Sequence, residues 1–111
     1  MSYSPRITVL GFIGNDAEMS QINGNKVCNF SVSSNGSKYN KETKAYDPKT
    51  IWFQISYWKK PEIYEKLKKG TQVLIDGKFD VDEYETKTGQ RAFALKITAE
   101  DITILQKKNE N

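Results

Sequence analysis

Two tryptophans six residues apart, Trp52 and Trp58, are the side chains in this sequence best suited to meeting a flat, conjugated partner. They lie in the stretch Thr50–Trp58, whose alternation puts Ile51, Phe53, Ile55 and Tyr57 on one side and Trp52, Gln54, Ser56 and Trp58 on the other. The first set reads as a core face. The second is polar and framed by two indoles, which at ~3.3 Å rise per residue stand ~20 Å apart along one side of a sheet. Indoles among residues that want water are poor candidates for burial, and they read as an exposed platform for stacking.

Cations gather near further aromatics. The polar stretch 35–49 carries Lys38, Lys41, Lys44 and Lys49 around Tyr39 and Tyr46, Lys59 and Lys60 follow Trp58, and Lys87 and Arg91 lie close to Tyr84. The chain's formal net charge is only +3, but residues 36–70 hold nine lysines against four acids while residues 71–111 are net acidic. A basic middle suits a polyanionic partner, although a solvated lysine-rich loop would give the same counts. We expect 35–49 to be a loop, of a length that in a compact domain is either functional or mobile.

Aromatic faces interleaved with cations are what single-stranded nucleic acid requires. Bases stack on π-faces for ~1–3 kcal/mol each, and Lys or Arg tracks the phosphates. On this reading Trp52, Trp58 and Tyr84 stack against bases, with Tyr39 as a further candidate. Lys38, Lys41, Lys44, Lys49, Lys59, Lys60, Lys87 and Arg91 are the candidate phosphate partners. Catalysis has little to work with: there is no histidine, hence no Ser-His-Asp or Cys-His arrangement and no imidazole metal site. The acid pairs Asp80/Asp82 and Glu100/Asp101 lie in like-charged runs without a glycine-rich phosphate loop. We expect no enzyme activity and no cofactor. Zinc-finger spacing, a recognition helix and an RNP-type aromatic consensus are also missing, which disfavours duplex readers and RRM domains.

The elements that must position these residues read as strands. Arg6–Ile13 is apolar on both faces, as in a closed barrel or at a subunit contact, and Asn23-Gly24 is a hairpin signal leading into Val27–Ser34. Cys28, Phe30 and Val32 share the core side of that strand; Cys28, the only cysteine, reads as a buried structural thiol rather than a reactive one. A short helix follows Pro61, with Ile63, Tyr64 and Leu67 as its buried stripe, Lys66, Lys68 and Lys69 in the last turn and Gly70 as its C-cap. Gln72–Val81 runs on to Tyr84, turns at Lys87-Thr88-Gly89-Gln90 and returns as Arg91–Thr98, where Phe93, Leu95 and Ile97 form an apolar face; a last strand covers Asp101–Leu105.

The order of these markers resembles the bacterial-type single-stranded DNA-binding protein family over roughly residues 6–105: an Asn-Gly hairpin, Asn-Phe-Ser-Val, a basic loop, Ile-Trp-Phe-Gln-Ile, Leu-Lys-Lys-Gly, then Val-Leu-Ile-Asp-Gly-Lys-Phe. The resemblance implies an all-β fold: a five-stranded OB-fold barrel with one short helix between strands 3 and 4 and a long hairpin after strand 4. It would occupy residues 1–105, with 106–111 as a short polar tail. By the same resemblance Trp52, Trp58 and Tyr84 match the family's stacking aromatics. The aromatic early in its central loop falls on Lys38 by spacing, with Tyr39 as substitute.

The resemblance further implies a homo-oligomer, a tetramer in preference to a dimer. Asp80, Asp82 and Glu83 stand where the family often has arginines, and Phe53 where some members have histidine. The family's acidic, partner-recruiting tail ending in Pro-Phe is not seen, so tail-mediated replication partners are not expected; either the sequence is a truncated form or it is a tail-less variant of the kind found on mobile genetic elements, the second being preferred. The expected function is sequence-independent binding and protection of single-stranded DNA in replication, recombination or repair, in the cytoplasm at the nucleoid and away from membranes. Two alternatives remain: a primosomal or RNA-binding accessory protein, and a protein-interaction OB module, for which the acids near Tyr84 speak.

Overall fold

The computed structural model describes residues 5–106 and contains six strands and one short 3-10 helix. The strands are β1 (Arg6–Ile13), β2 (Glu18–Ile22), β3 (Asn25–Asn40), β4 (Ala45–Tyr57), β5 (Gln72–Glu85) and β6 (Arg91–Gln106), with the 3-10 helix Pro61–Lys66 between β4 and β5. They hydrogen-bond in the order β1-β5-β6-β4-β3-β2, and an additional pairing of β1 with β3 closes the first five into a ring. Strands β1, β5, β6, β4 and β3 therefore form a ring of five, as expected, while β2 is a flap on β3. All pairings are antiparallel except β4 with β6.

The core follows from the alternation. Val9 and Ile13 of β1, Cys28, Phe30 and Val32 of β3, Phe53, Ile55 and Tyr57 of β4, Val73 and Ile75 of β5, and Ile97 and Ala99 of β6 point inward and form one buried cluster. Fully burying an aliphatic or aromatic side chain of this size stabilises by ~1.5–3 kcal/mol. Cys28 has no exposed surface, and burial pushes its thiol up to about 11, in keeping with a structural role. Asn23 (φ 50°) and Gly24 (φ 81°) make the positive-φ turn that joins β2 to β3.

Several expectations change in detail. Most of 35–49 is not a loop: β3 and β4 stay paired as far as Asn40 and Ala45, leaving only a four-residue turn at 41–44. Both faces of this ribbon are polar because it extends beyond the barrel, so no apolar alternation marks it in the sequence. The segments expected as Arg91–Thr98 and Asp101–Leu105 are one strand, β6, irregular where Asp76 and Gly77 of β5 face Asp101 and Ala99.

The helix is a 3-10 turn that ends at Leu67, with Lys66 the only lysine in its last turn; Gly70 (φ 90°) lies three residues further on and turns the chain toward β5. Within it Ile63 and Tyr64 pack part-buried on the core, and the fully buried anchor is Leu67, whose carbonyl accepts from the Ala17 backbone N–H. Of the segment expected as a polar tail, Gln106 ends β6 and the rest lies outside the described residues. No helix among the described residues is long and apolar enough to cross a membrane.

Candidate nucleic-acid interface

Register decides which side chains share a surface, because residues directly opposite each other in adjacent strands project to the same face. Along β3 and β4 the outward pairs are Asn29 with Ser56, Ser31 with Gln54, Ser33 with Trp52, Asn35 with Thr50, Ser37 with Pro48 and Tyr39 with Tyr46. Trp58, one residue past β4, continues the same alternation. Tyr46, Trp52 and Trp58 thus recur every six residues on one face, ~20 Å apart at each step. Both indoles are open to solvent, Trp52 at 53% and Trp58 at 41%.

Trp52 is held from below. The outer edge of its indole lies over Gly14, in the turn between β1 and β2, where a Cβ would come within 2.8 Å of Cη2. That turn is itself fixed: the Gly14 N–H donates to the Ser31 carbonyl (2.9 Å), and Asn15 Oδ1 accepts from both the backbone N–H (3.0 Å) and the hydroxyl of Ser31. The Lys69 N–H donates to Asp16 Oδ1 at 2.8 Å. A platform backed by a tied-down turn loses little freedom when a base lands on it.

At the tip of the β3–β4 hairpin, Tyr39 and Tyr46 meet edge to face, with ring centroids 5.2 Å apart and planes at 65°. Tyr46 was not among the expected stacking residues. Its partnership with Tyr39 shows only once the ribbon's pairing is known. Tyr84, 51% exposed, projects from β5 on the same outer surface as Trp52, since Gln54, Lys96 and Asp80 face one another across β4, β6 and β5.

The expected phosphate partners divide by position. Lys41 and Lys44 sit in the tip turn, and Lys59 and Lys60 directly follow Trp58; all four are exposed. Lys38, opposite Asp47, and Lys49, opposite Gly36, project from the reverse face of the ribbon. Lys87 lies in the turn between β5 and β6 and is exposed. Arg91 faces Glu85, on the side away from Tyr84, and forms an ion pair with Glu83 (3.0 Å).

Sequence reasoning passed over Lys96, which stands beside Gln54 on the outer face and pairs with Asp82 (2.6 Å). The hydrogen bond to Asp82, followed by that acid's charge, holds the Lys96 ammonium above its ordinary pKa. Among the described residues no three His, Cys, Asp or Glu side chains come together as a metal site.

The comparisons agree with this architecture. The sequence model of the Single-strand binding protein family matches residues 5–105. The mitochondrial single-stranded DNA-binding protein of Rattus norvegicus is 33% identical over 109 residues, which cover 90% of this chain and 72% of that protein. The small single-stranded DNA-binding protein from Streptomyces coelicolor superposes with a TM-score of 0.76 at 16% identity, covering 93% of this chain and 95% of that one. The Plasmodium falciparum SSB, solved in complex with ssDNA, gives 0.74 at 24% identity over 96% and 97%. With a match along nearly its whole length, and with the strand ring and aromatic face in place, this chain belongs to the single-strand binding protein family.

Proposed function

We propose that this protein binds and protects single-stranded DNA during replication, recombination or repair, laying the strand along the outer face of β3 and β4. The observation that carries this reading is the row Tyr46, Trp52 and Trp58 on one exposed face, with Tyr39 packed on Tyr46 and Tyr84 projecting from β5. Stacking on such faces accepts any base, which makes the binding sequence-tolerant. Lys59 and Lys60 at one end of the row and Lys41 and Lys44 at the other hold phosphates; Lys38 and Lys49 on the reverse face of the ribbon, Lys87 in the β5–β6 turn and Arg91 beside Glu83 join them by swinging their long stems around. Such a protein works where single strands are exposed, in the cytoplasm at the nucleoid.

A second surface supports self-association into a homotetramer. Leu10 and Phe12 project outward from β1, Leu74 lies opposite Leu10 on β5, and Leu105 emerges nearby from β6, all of them exposed. This patch centres on β1 and β5 and meets the aromatic row only at its edge, where Phe12 lies opposite Ser33 of β3, itself opposite Trp52. Sedimentation equilibrium reads the mass directly: four chains are expected, and a monomer at micromolar concentration would rule the assembly out.

Tryptophan fluorescence during titration with oligo-dT, at two salt concentrations, tests the binding. Quenching that weakens with salt is expected, because bases cover the indoles while phosphates release counterions. No change at low salt would exclude the aromatic row as a DNA site and leave a protein-interaction role.

A further inference from the structure

Between the two indoles the outer face is not flat. A groove of about 330 Å³ crosses β2, β3 and β4 there, and its polar lining is Asn15, Glu18, Asn29, Ser31, Gln54 and Ser56. Glu18 of β2 lies opposite Asn29 in register, and Asn29 opposite Ser56, so the three form one outward row.

Most of these groups are already engaged. Asn29 Oδ1 accepts from the Ser56 hydroxyl (3.3 Å), Asn29 Nδ2 donates to Ser20 Oγ (3.5 Å), Asn15 Oδ1 accepts from Ser31, and Asn15 Nδ2 donates to the Asp16 carbonyl (3.2 Å). Among the described residues the Glu18 carboxylate and the Gln54 amide form no side-chain hydrogen bond or ion pair. The groove therefore presents a carboxylate, which only accepts, and a primary amide, which both donates and accepts.

We propose that this groove reads one base by its edge and prefers guanine, with Glu18 as the residue that sets the preference. The inference rests on the single-stranded DNA reading above. A carboxylate in a DNA-binding face repels phosphates, so what it meets productively is a base edge rich in N–H groups. Guanine offers two adjacent donors, N1–H and the N2 amine, which match the two oxygens of a carboxylate, and beside them O6, an acceptor for the Gln54 amide. Adenine and cytosine each set one amine next to an acceptor ring nitrogen. Thymine flanks its single N–H with two carbonyls that the carboxylate repels. The protein would then tolerate sequence along the aromatic row while holding a local preference at one position.

Competition binding separates this edge contact from stacking. The probes are a thymidine oligonucleotide, the same oligonucleotide with isolated deoxyguanosines at intervals, and a third with deoxyinosine in their place. Deoxyinosine keeps the purine face and lacks only the N2 amine, so stacking is nearly matched. Guanosine is expected to win over inosine by about fivefold, the lower end of what a bidentate base contact gives, because the groove is open to water. In Glu18→Gln that ratio falls to near one, with circular dichroism showing the fold retained. Equal binding of the guanosine and inosine strands by the unaltered protein, or a ratio that persists in Glu18→Gln, overturns the inference while leaving the wider reading in place. Failure of the plain thymidine strand to bind at all overturns both.

Discussion

Gly14 lies directly beneath the indole of Trp52, close enough that a methyl group at that position would overlap the outer ring edge. The ring is half exposed, so Gly14→Ala is expected to push it outward rather than to disrupt the barrel. Emission from Trp52 should shift, oligo-dT affinity should fall by about threefold to tenfold, part of what a stacked base contributes, and thermal stability should change little. A displaced ring with undiminished affinity would mean that the position of Trp52 is immaterial to binding.

Removing the platforms outright gives a larger effect. Trp52→Ala and Trp58→Ala are each expected to cost ~1–3 kcal/mol in oligonucleotide binding, with unaltered circular dichroism because neither indole belongs to the core. Isothermal titration of the two variants measures this. Unchanged affinity in both would remove β4 from the DNA path.

The core side of this fold was legible because Ile51, Phe53, Ile55 and Tyr57 alternate strictly with polar residues and indoles, and burial follows that alternation in the structure. The 35–49 ribbon was not legible. Its strands leave the barrel, both faces meet water, and no apolar period survives to mark them. Tyr46 was missed with it, since its face is set by pairing with Tyr39 rather than by anything local. The groove at Glu18 was hidden for a related reason: β2 is exposed along its length, and its alignment on Asn29 is a matter of register. Leu67 was placed on a helical stripe, yet it is buried by the chain leaving a 3-10 turn, a distinction that apolar spacing over six residues does not make.

The hairpin tip predicts a dependence on strand length. Tyr39 and Tyr46 stand one six-residue step beyond Trp52, so a short oligonucleotide seated between Trp58 and Trp52 does not reach them. Tyr46→Ala should leave the binding of short strands unaltered and weaken that of longer ones by about tenfold, with the onset at one length in an oligo-dT series. A loss that is the same at every length would place the tip elsewhere on the path, and no loss at any length would exclude it.

Cys28 links pH to folding. Burial lifts its thiol from 9.0 to about 11, so between these values the unfolded chain gives up a proton that the folded chain retains. The unfolded state then binds fewer protons, and stability must fall as pH rises through this window; below pH 9 the contribution is fully present. Urea midpoints measured from pH 8 to 11 should decline more steeply for the native chain than for Cys28→Ala. The thiol should also resist aromatic disulfide reagents until the protein unfolds. Ready labelling of the folded protein would contradict its burial.

Asp82 restrains a cation that the DNA face could use. Lys96 of β6 stands beside Gln54 of β4, and its ammonium is held by Asp82 at 2.6 Å. Both side chains are about half exposed, so breaking this pair changes stability little. For a polyanion the change is twofold in kind: Asp82→Asn removes a repelling charge and frees Lys96 to meet a phosphate. Oligo-dT should bind about threefold to tenfold tighter at low salt, and the slope of log affinity against log salt should steepen by about 0.7, the increment for one more phosphate on a single strand. Tighter binding with an unaltered slope would mean that repulsion was relieved but Lys96 stays out of contact. Loss of affinity would mean that Asp82 itself meets the strand, through base amines rather than phosphates.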